Sequence, residues 1–267
     1  MMKDEQTAWP PSNRSKKIKY FIYWALGVLL FYYCWNAISA NTTWIFVLDA
    51  PEKAANLIGR MFPPNWSYIN QLWEPIWDTI NIATLGTLLA LLIAIIVSLM
   101  AARNTTPHPL LRQLALLIIV TSRSVNSLIW ALMLVTIIGP GVLAGIIAIG
   151  IRSIGFTSKL LYEGIEEIDT TPVEAVTATG ANKPQVITYS IIPQMIPTFL
   201  SVAVYRWDIN IRESTIVGIV GAGGLGIPLN TSILSMQWSN AIIILLVILI
   251  MVFASEALSA KFRELTI

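Results

Sequence analysis

Residues 162–193 read Tyr-Glu-Gly-Ile-Glu-Glu-Ile-Asp-Thr-Thr-Pro-Val-Glu-Ala-Val-Thr-Ala-Thr-Gly-Ala-Asn-Lys-Pro-Gln-Val-Ile-Thr-Tyr-Ser-Ile-Ile-Pro. Long apolar runs flank this stretch, yet it gathers Glu163, Glu166, Glu167, Asp169, Glu174 and Lys183. Side chains of that kind are too costly to leave in hydrocarbon, so the stretch belongs outside a bilayer and its neighbours inside one. Thr171-Pro172-Val173-Glu174 predicts a helix start, with Thr171 as cap, Pro172 at the first helical position and Glu174 three residues after the cap. Gly180 predicts the end, and Gly180-Ala181-Asn182-Lys183-Pro184 closes the segment before the next apolar run.

The whole chain fits that setting. It has 267 residues of which 12% are charged, about half the share of an ordinary soluble domain, and its mean hydropathy is +0.69. An integral membrane protein follows, all-α because each spanning helix satisfies its own backbone. The net charge of +2 gives no footprint for nucleic acid. Cys34 stands alone, which excludes an intrachain disulfide. His108, between Pro107 and Pro109, has no His or Cys near it to complete a metal site.

About six stretches have the roughly 20 apolar residues that a span needs: 20–40, 79–102, 114–138, 142–161, 186–205 with a polar continuation, and 240–258. Residues 1–19 are polar, carry Trp9, Pro10 and Pro11, and end in the basic cluster Arg14, Lys16, Lys17 and Lys19. They differ from a cleavable signal peptide and are expected as a cytoplasmic tail. Residues 20–78 then form the first span and an external loop, whose Trp44, Trp66, Trp73 and Trp77 suit a headgroup-level aromatic belt. Residues 79–267 form the core. With an even number of spans, Arg103, His108, Arg112, Lys159, Lys261 and Arg263 fall inside, as does the helix that carries Glu174, and both termini are cytoplasmic.

Polar groups inside the spans are the candidates for function. Arg123-Ser124-Val125-Asn126-Ser127 lies about ten residues into the third span, and Arg152 lies in the cytoplasmic half of the fourth. Each arginine either snorkels to the surface or faces a polar path. Beyond Pro193 and Pro197, the fifth span runs into Tyr205-Arg206-Trp207-Asp208-Ile209-Asn210-Ile211-Arg212-Glu213-Ser214-Thr215. Helical spacing pairs Asp208 with Arg212 and puts Arg206, Asn210 and Glu213 on a neighbouring face. This run is either a self-neutralising patch or the lining of an ion path. In the second case the pair orders the helix and leaves Arg206 and Asn210 freer to meet a cargo.

Gly221, Gly223 and Gly226 match G-x-G-x-x-G, but Ile227-Pro228 follows at once and the next acid is Glu256, so the context of a dinucleotide site is missing. No phosphate loop for ATP is present either. Gly221, Gly223, Gly224 and Gly226 are expected instead in a bent, tightly packed element near the external side, at a moving joint.

Glu174-Ala175-Val176, then Gly180, then Ile191-Ile192-Pro193 resembles the coupling loop of bacterial ABC importer permeases. Glu163 to Asp169, Pro172 to Ala175, Pro193-Gln194, Tyr205 to Arg212 and Val220 to Gly226 resemble more narrowly the permeases of phosphonate-type importers, which also carry phosphite and related phosphorus oxyanions. The likeness covers about half of the chain. One departure is visible, since the family often has Arg-x-Ile-Pro-Glu where this chain has Arg123-Ser124-Val125-Asn126-Ser127.

The resemblance implies a type I ABC importer permease fold of about six transmembrane helices, with residues 162–184 as a cytoplasmic coupling loop. It implies that Glu174, Ala175, Gly180 and Pro193 couple to an ATPase, that Arg123, Arg206, Asp208, Asn210, Arg212 and Glu213 belong to the translocation pathway, and that the four glycines gate or pack. It further implies a homodimer in the bacterial inner membrane lipid, two ATP-binding subunits below and an external substrate-binding protein above. ATP and magnesium then sit on the partner ATPase, and this chain binds no cofactor. The competing classes are a permease for another small solute, an intramembrane enzyme and a passive channel. Against the enzyme, the sequence has no Gly-x-Ser-x-Gly, no His-Glu-x-x-His and no histidine besides His108.

Overall fold

The computed structural model describes residues 14–266, so the expected tail 1–19 lies outside the described residues as far as position 13. The described elements are helical: α1 Arg14–Asn41, α2 Trp44–Leu48, α3 Ala50–Met61, a 3-10 turn Trp66–Gln71, α4 Trp73–Ala101, α5 Pro109–Ser124, α6 Ser127–Ile138, α7 Val142–Glu166, α8 Thr170–Ala178, α9 Lys183–Val186, a π-helical turn Ile187–Ile191, α10 Ile192–Ile219, α11 Gly226–Leu234 and α12 Trp238–Thr266. The chain divides into two compact units at the Gly59/Arg60 boundary.

The first unit holds α1, α2 and most of α3. Residues Lys16–Asn41 of α1 form a span-length apolar stretch. The segment expected as an external loop, 41–78, is thus largely helical, and α4 begins at Trp73, six residues before the expected start.

In the second unit α4 and α7 form the central pair. Helices in hydrocarbon gain little from hiding apolar surface against each other, so close approach through small residues carries the packing. Ala83, Gly86, Thr87, Ala90, Ala94, Ser98 and Ala101 are buried along α4, and Ala144, Gly145, Ala148, Gly155 and Ser158 along α7. A methyl at Gly86 would stand 3.1 Å from Ile149 Cγ2, and one at Gly150 would stand 2.7 Å from Leu89 Cδ2. α10 packs on this pair and on α12.

Among the described residues five helices are long and apolar enough to cross a membrane, or up to six when α5 and α6 count as one broken span. The continuous third span expected over 114–138 is corrected here: α5 and α6 meet at 87°. Val125 is extended, with φ −100° and ψ 132°. Asn126 then caps the new helix by accepting a hydrogen bond from Leu128 N at 3.1 Å. Asn is a strong N-cap, and a backbone freed at membrane depth survives only where protein or a cavity satisfies it. The fifth span differs in length, since residues 183–219 form one apolar helical stretch of 37 residues. At 1.5 Å per residue that is about 55 Å, well beyond the ~30 Å of hydrocarbon.

Candidate functional site

α8 is the expected short helix outside the spans, but its cap is Asp169 and not Thr171. The Asp169 carboxylate accepts from Thr171 N at 2.9 Å and from the Thr171 hydroxyl at 2.8 Å. The helix therefore starts two residues earlier than expected, and Thr171 donates to a charged cap where it was expected to be the accepting cap itself. These bonds, that from the Thr171 N–H foremost, hold the Asp169 carboxyl below the usual carboxylate range. The cap is therefore charged at neutral pH and is lost only as pH falls through its lowered pKa. Gly180 follows the last turn with φ +83°, and its N–H donates to Thr177 O at 3.0 Å.

A two-way strap holds this helix to α10. Asp169 N donates to Gln194 Oε1 at 3.2 Å, while Gln194 Nε2 donates to Ser190 O at 2.8 Å and reaches Asp169 O at 3.4 Å. Glu174, Ala175 and Gly180 are exposed on α8 and its end, and Pro193 is exposed in the first turn of α10. No residue of α8 is fully buried. Arg103 N donates to Glu166 Oε1 at 2.9 Å, so the α4–α5 connection lies at the same end of the bundle. His108, a plain loop residue in the sequence reading, caps α5 through Nδ1, which accepts from Leu110 N at 3.1 Å.

The polar run of α10 faces two ways. Asp208 forms the expected pair with Arg212 and also accepts from Ser255 Oγ of α12 at 2.6 Å. Arg206, Asn210 and Glu213 face α7 and α4. Asn210 has no free polar group, because Nδ2 donates to Thr87 Oγ1 at 2.8 Å and Oδ1 accepts from Ser153 Oγ at 3.1 Å. The expectation that Arg206 and Asn210 are the freer groups is corrected: both are buried, while the Arg212 side chain is 48% exposed.

Arg206 Nε donates to Ser153 Oγ at 3.0 Å, and its Nη2 lies 3.6 Å from Glu213 Oε1. The same Glu213 oxygen pairs with Arg152. The guanidinium carbons of Arg123, Arg152 and Arg206 lie 4.7, 5.6 and 5.0 Å from the centre of the Phe156 ring. The bare α-carbon of Gly155 lets α5 come this near, since a methyl there would meet Ile119 O at 2.7 Å and Arg123 Cγ at 2.8 Å. Gly155 N donates to Ser122 Oγ at 2.9 Å, and Ser122 Oγ donates to Ile151 O at 2.5 Å. Phe156 escaped the sequence reading, and its only local signal was its position four residues after Arg152.

The glycine segment joins α10 to α11. Gly141 N donates to Gly221 O at 3.0 Å, and Leu225 N donates to Thr79 Oγ1 at 2.9 Å, so the turn is laced to α4 and α7. Gly223 has φ +91°, and a Cβ there would stand 3.0 Å from Ile82 Cδ1 and 3.1 Å from Val142 Cα. Gly224 faces Thr79, and Gly226 lies against the backbone of Gly218. The segment bends the chain between two helices: despite Ile227-Pro228 a helix does follow, from Gly226, but a helix and not a strand precedes the turn, which is a geometry unlike that of a dinucleotide turn.

Comparison with known proteins agrees with this architecture. Residues 90–263 match the family described as binding-protein-dependent transport system inner membrane component. The chain is 39% identical over 231 residues to the phosphite transport system permease protein PtxC of Stutzerimonas stutzeri, across 86% of this chain and 83% of that one. It is 34% identical over 219 residues to the phosphate-import permease protein PhnE of Mycolicibacterium smegmatis, across 82% of this chain and 41% of that longer one. In fold it resembles the inward-facing MetNI methionine ABC transporter, with a TM-score of 0.66 at 18% identity over 76% of this chain and 99% of that one. A bundle of about six apolar helices, family match over most of that bundle and relatives of this similarity converge: the chain belongs to the family of binding-protein-dependent transport system inner membrane components, and it is a permease subunit of an ABC importer rather than an enzyme.

Proposed function

We propose that this permease moves a phosphorus oxyanion, of the phosphite, phosphonate or phosphate class, inward across the inner membrane. The observation that carries the reading is the excess of cations among the membrane helices: Arg123, Arg152 and Arg206 converge on one ring with Glu213 as the one carboxylate paired among them. An oxyanion leaving water loses hydration worth several kcal/mol or more, and guanidinium groups replace it with directional hydrogen bonds. Relatives named for phosphite and phosphate support the cargo class.

In this reading Arg123, Arg152, Arg206 and Glu213 border the path and Arg212 faces it, while Asp208 and Asn210 hold its wall. The exposed α8, with Glu174, Ala175 and Gly180, docks on a separate ATP-binding subunit, which carries ATP and magnesium. Pro193 and Gln194, in the first turn of α10, link the docked α8 to that helix. Two copies of this chain pair around one pathway, with both termini in the cytoplasm and an external binding protein delivering the cargo. For function we propose the division read from the sequence, with a tail at 1–19, the first span and external segment at 20–78 and the core at 79–267.

The test is uptake of phosphite, phosphate and methylphosphonate by cells that depend on this transporter, with the mass of the purified assembly measured alongside. Uptake of at least one of these anions and two permease copies per assembly are expected. Uptake confined to an uncharged solute would sink the cargo assignment, and a single permease copy would sink the pairing.

A further inference from the structure

The cluster around Phe156 is assembled from three helices, with Arg123 on α5, Arg152 on α7 and Arg206 on α10. One carboxylate, Glu213, meets two of them. Asp208 is committed elsewhere, to Arg212 and Ser255. Three guanidiniums against one carboxylate leave a formal excess of two positive charges in a largely buried place. Among the described residues the cluster also holds buried polar atoms without a hydrogen bond: the donors Arg123 Nε and Arg206 Nη2, the latter only within ion-pair distance of Glu213 Oε1, and the acceptor Glu213 Oε2. Buried donors of charged groups are expensive to leave unpaired. The quadrupole of Phe156 offsets part of the charge, but it offers no directed acceptor to the N–H groups.

Resting on the reading of the chain as an oxyanion permease, we propose that Arg123, Arg152 and Arg206 form an intramembrane station for a doubly charged tetrahedral oxyanion, and that Glu213 is the tethered carboxylate that competes with it. The charge matches, because two negative charges cancel the excess. The chemistry matches as well, because three guanidiniums from three helices lie within 5.6 Å of one ring centre, and planar guanidiniums hold oxyanions through paired, directed N–H bonds. Glu213 keeps the station from holding too well. Its Oε1 already satisfies Arg152 and approaches Arg206, so an arriving anion displaces a carboxylate that remains attached and returns when the anion leaves.

The test uses the purified assembly of permease and ATP-binding subunits without the external binding protein. Thermal stabilisation by phosphite, phosphate or sulfate is measured against chloride at equal ionic strength, since a ligand of the folded state raises the melting temperature. Half-maximal stabilisation by phosphite is expected to need about tenfold less anion in Glu213→Gln and at least tenfold more in Arg123→Gln and Arg152→Gln. Glu213→Gln is nearly isosteric, and assembly of each variant is checked by copurification of the ATP-binding subunit. Should Arg123→Gln fail to assemble, Glu213→Gln decides alone. Equal response to chloride and oxyanions, or midpoints unchanged in the assembled variants, overturns the station. If the wild type imports phosphite while the assembled variants bind and import it normally, the station fails and the cargo assignment stands. If it imports none of the oxyanions yet the midpoints shift as stated, the cargo assignment fails and the station stands.

Discussion

Asp208 accepts from two directions, from Arg212 on its own helix and from Ser255 on α12, which makes it a fastener between α10 and α12. Ser259 Oγ reaches Val204 O at 3.4 Å on the same seam. Removing the carboxylate leaves the Ser255 hydroxyl and one end of Arg212 without it. The Ser255 hydroxyl keeps Val252 O as an acceptor at 2.9 Å, so its loss of a charged partner costs at most about 1.5–3 kcal/mol, and the half-exposed Arg212 adds less because solvent screens it. Asp208→Ala is therefore expected to lower the yield of assembled permease severalfold, and the assembled fraction should keep its affinity for the anion. Size-exclusion profiles with anion titration check this; normal yield with lost affinity would place Asp208 in the path.

At the scale of elements, α8 and the glycine turn do opposite things. α8 has nine residues, fewer than the ~12–15 that an isolated helix needs to persist in water. It is held by the Asp169 cap, by the Gln194 strap and by contact of Val173 with the buried cluster around Leu161 and Ile191. An exposed outer face on a helix fixed only from behind suits docking. Glu174→Lys and Gly180→Arg are expected to cut uptake more than tenfold and to weaken retention of the ATP-binding subunit in pull-downs, with membrane insertion unchanged. Intact retention and uptake in both variants would leave α8 a plain surface helix.

The turn from Gly221 to Gly226 has no exposed face to offer. Valine at position 223 must adopt φ +91° beside Ile82 and Val142, at a strain of about 1–3 kcal/mol before any clash. We propose that this turn is a joint of the pathway, so Gly223→Val is expected to reduce uptake about tenfold or more in permease that still inserts. Normal uptake by that variant would make the glycines packing alone.

For the whole molecule, hydropathy and local spacing decided a great deal. The number of spans, the polar interval between α7 and α10, the existence of α8 and the Asp208–Arg212 pair were all legible, because each depends on residues contiguous in the chain or one helical turn apart. The resemblance of Glu174 to Pro193 and of Tyr205 to Gly226 carried the family for a similar reason, since those motifs are local. The break at Val125 and Asn126 was hidden by apolar flanks on both sides, and hydropathy averages across a bend. The Asp169 cap was hidden by a second plausible cap two residues away, a choice between neighbours that backbone geometry settled. Only the tertiary structure decided what the charged side chains meet. It buried Asn210 against Thr87 and Ser153, turned Asp208 toward α12, and brought Arg123, Arg152 and Arg206 around Phe156 across 29 positions from Arg123 to Arg152 and 54 from Arg152 to Arg206. The physical reason is that span length is written in consecutive apolar residues, whereas a shared site among helices depends on where small residues such as Gly155 let those helices approach.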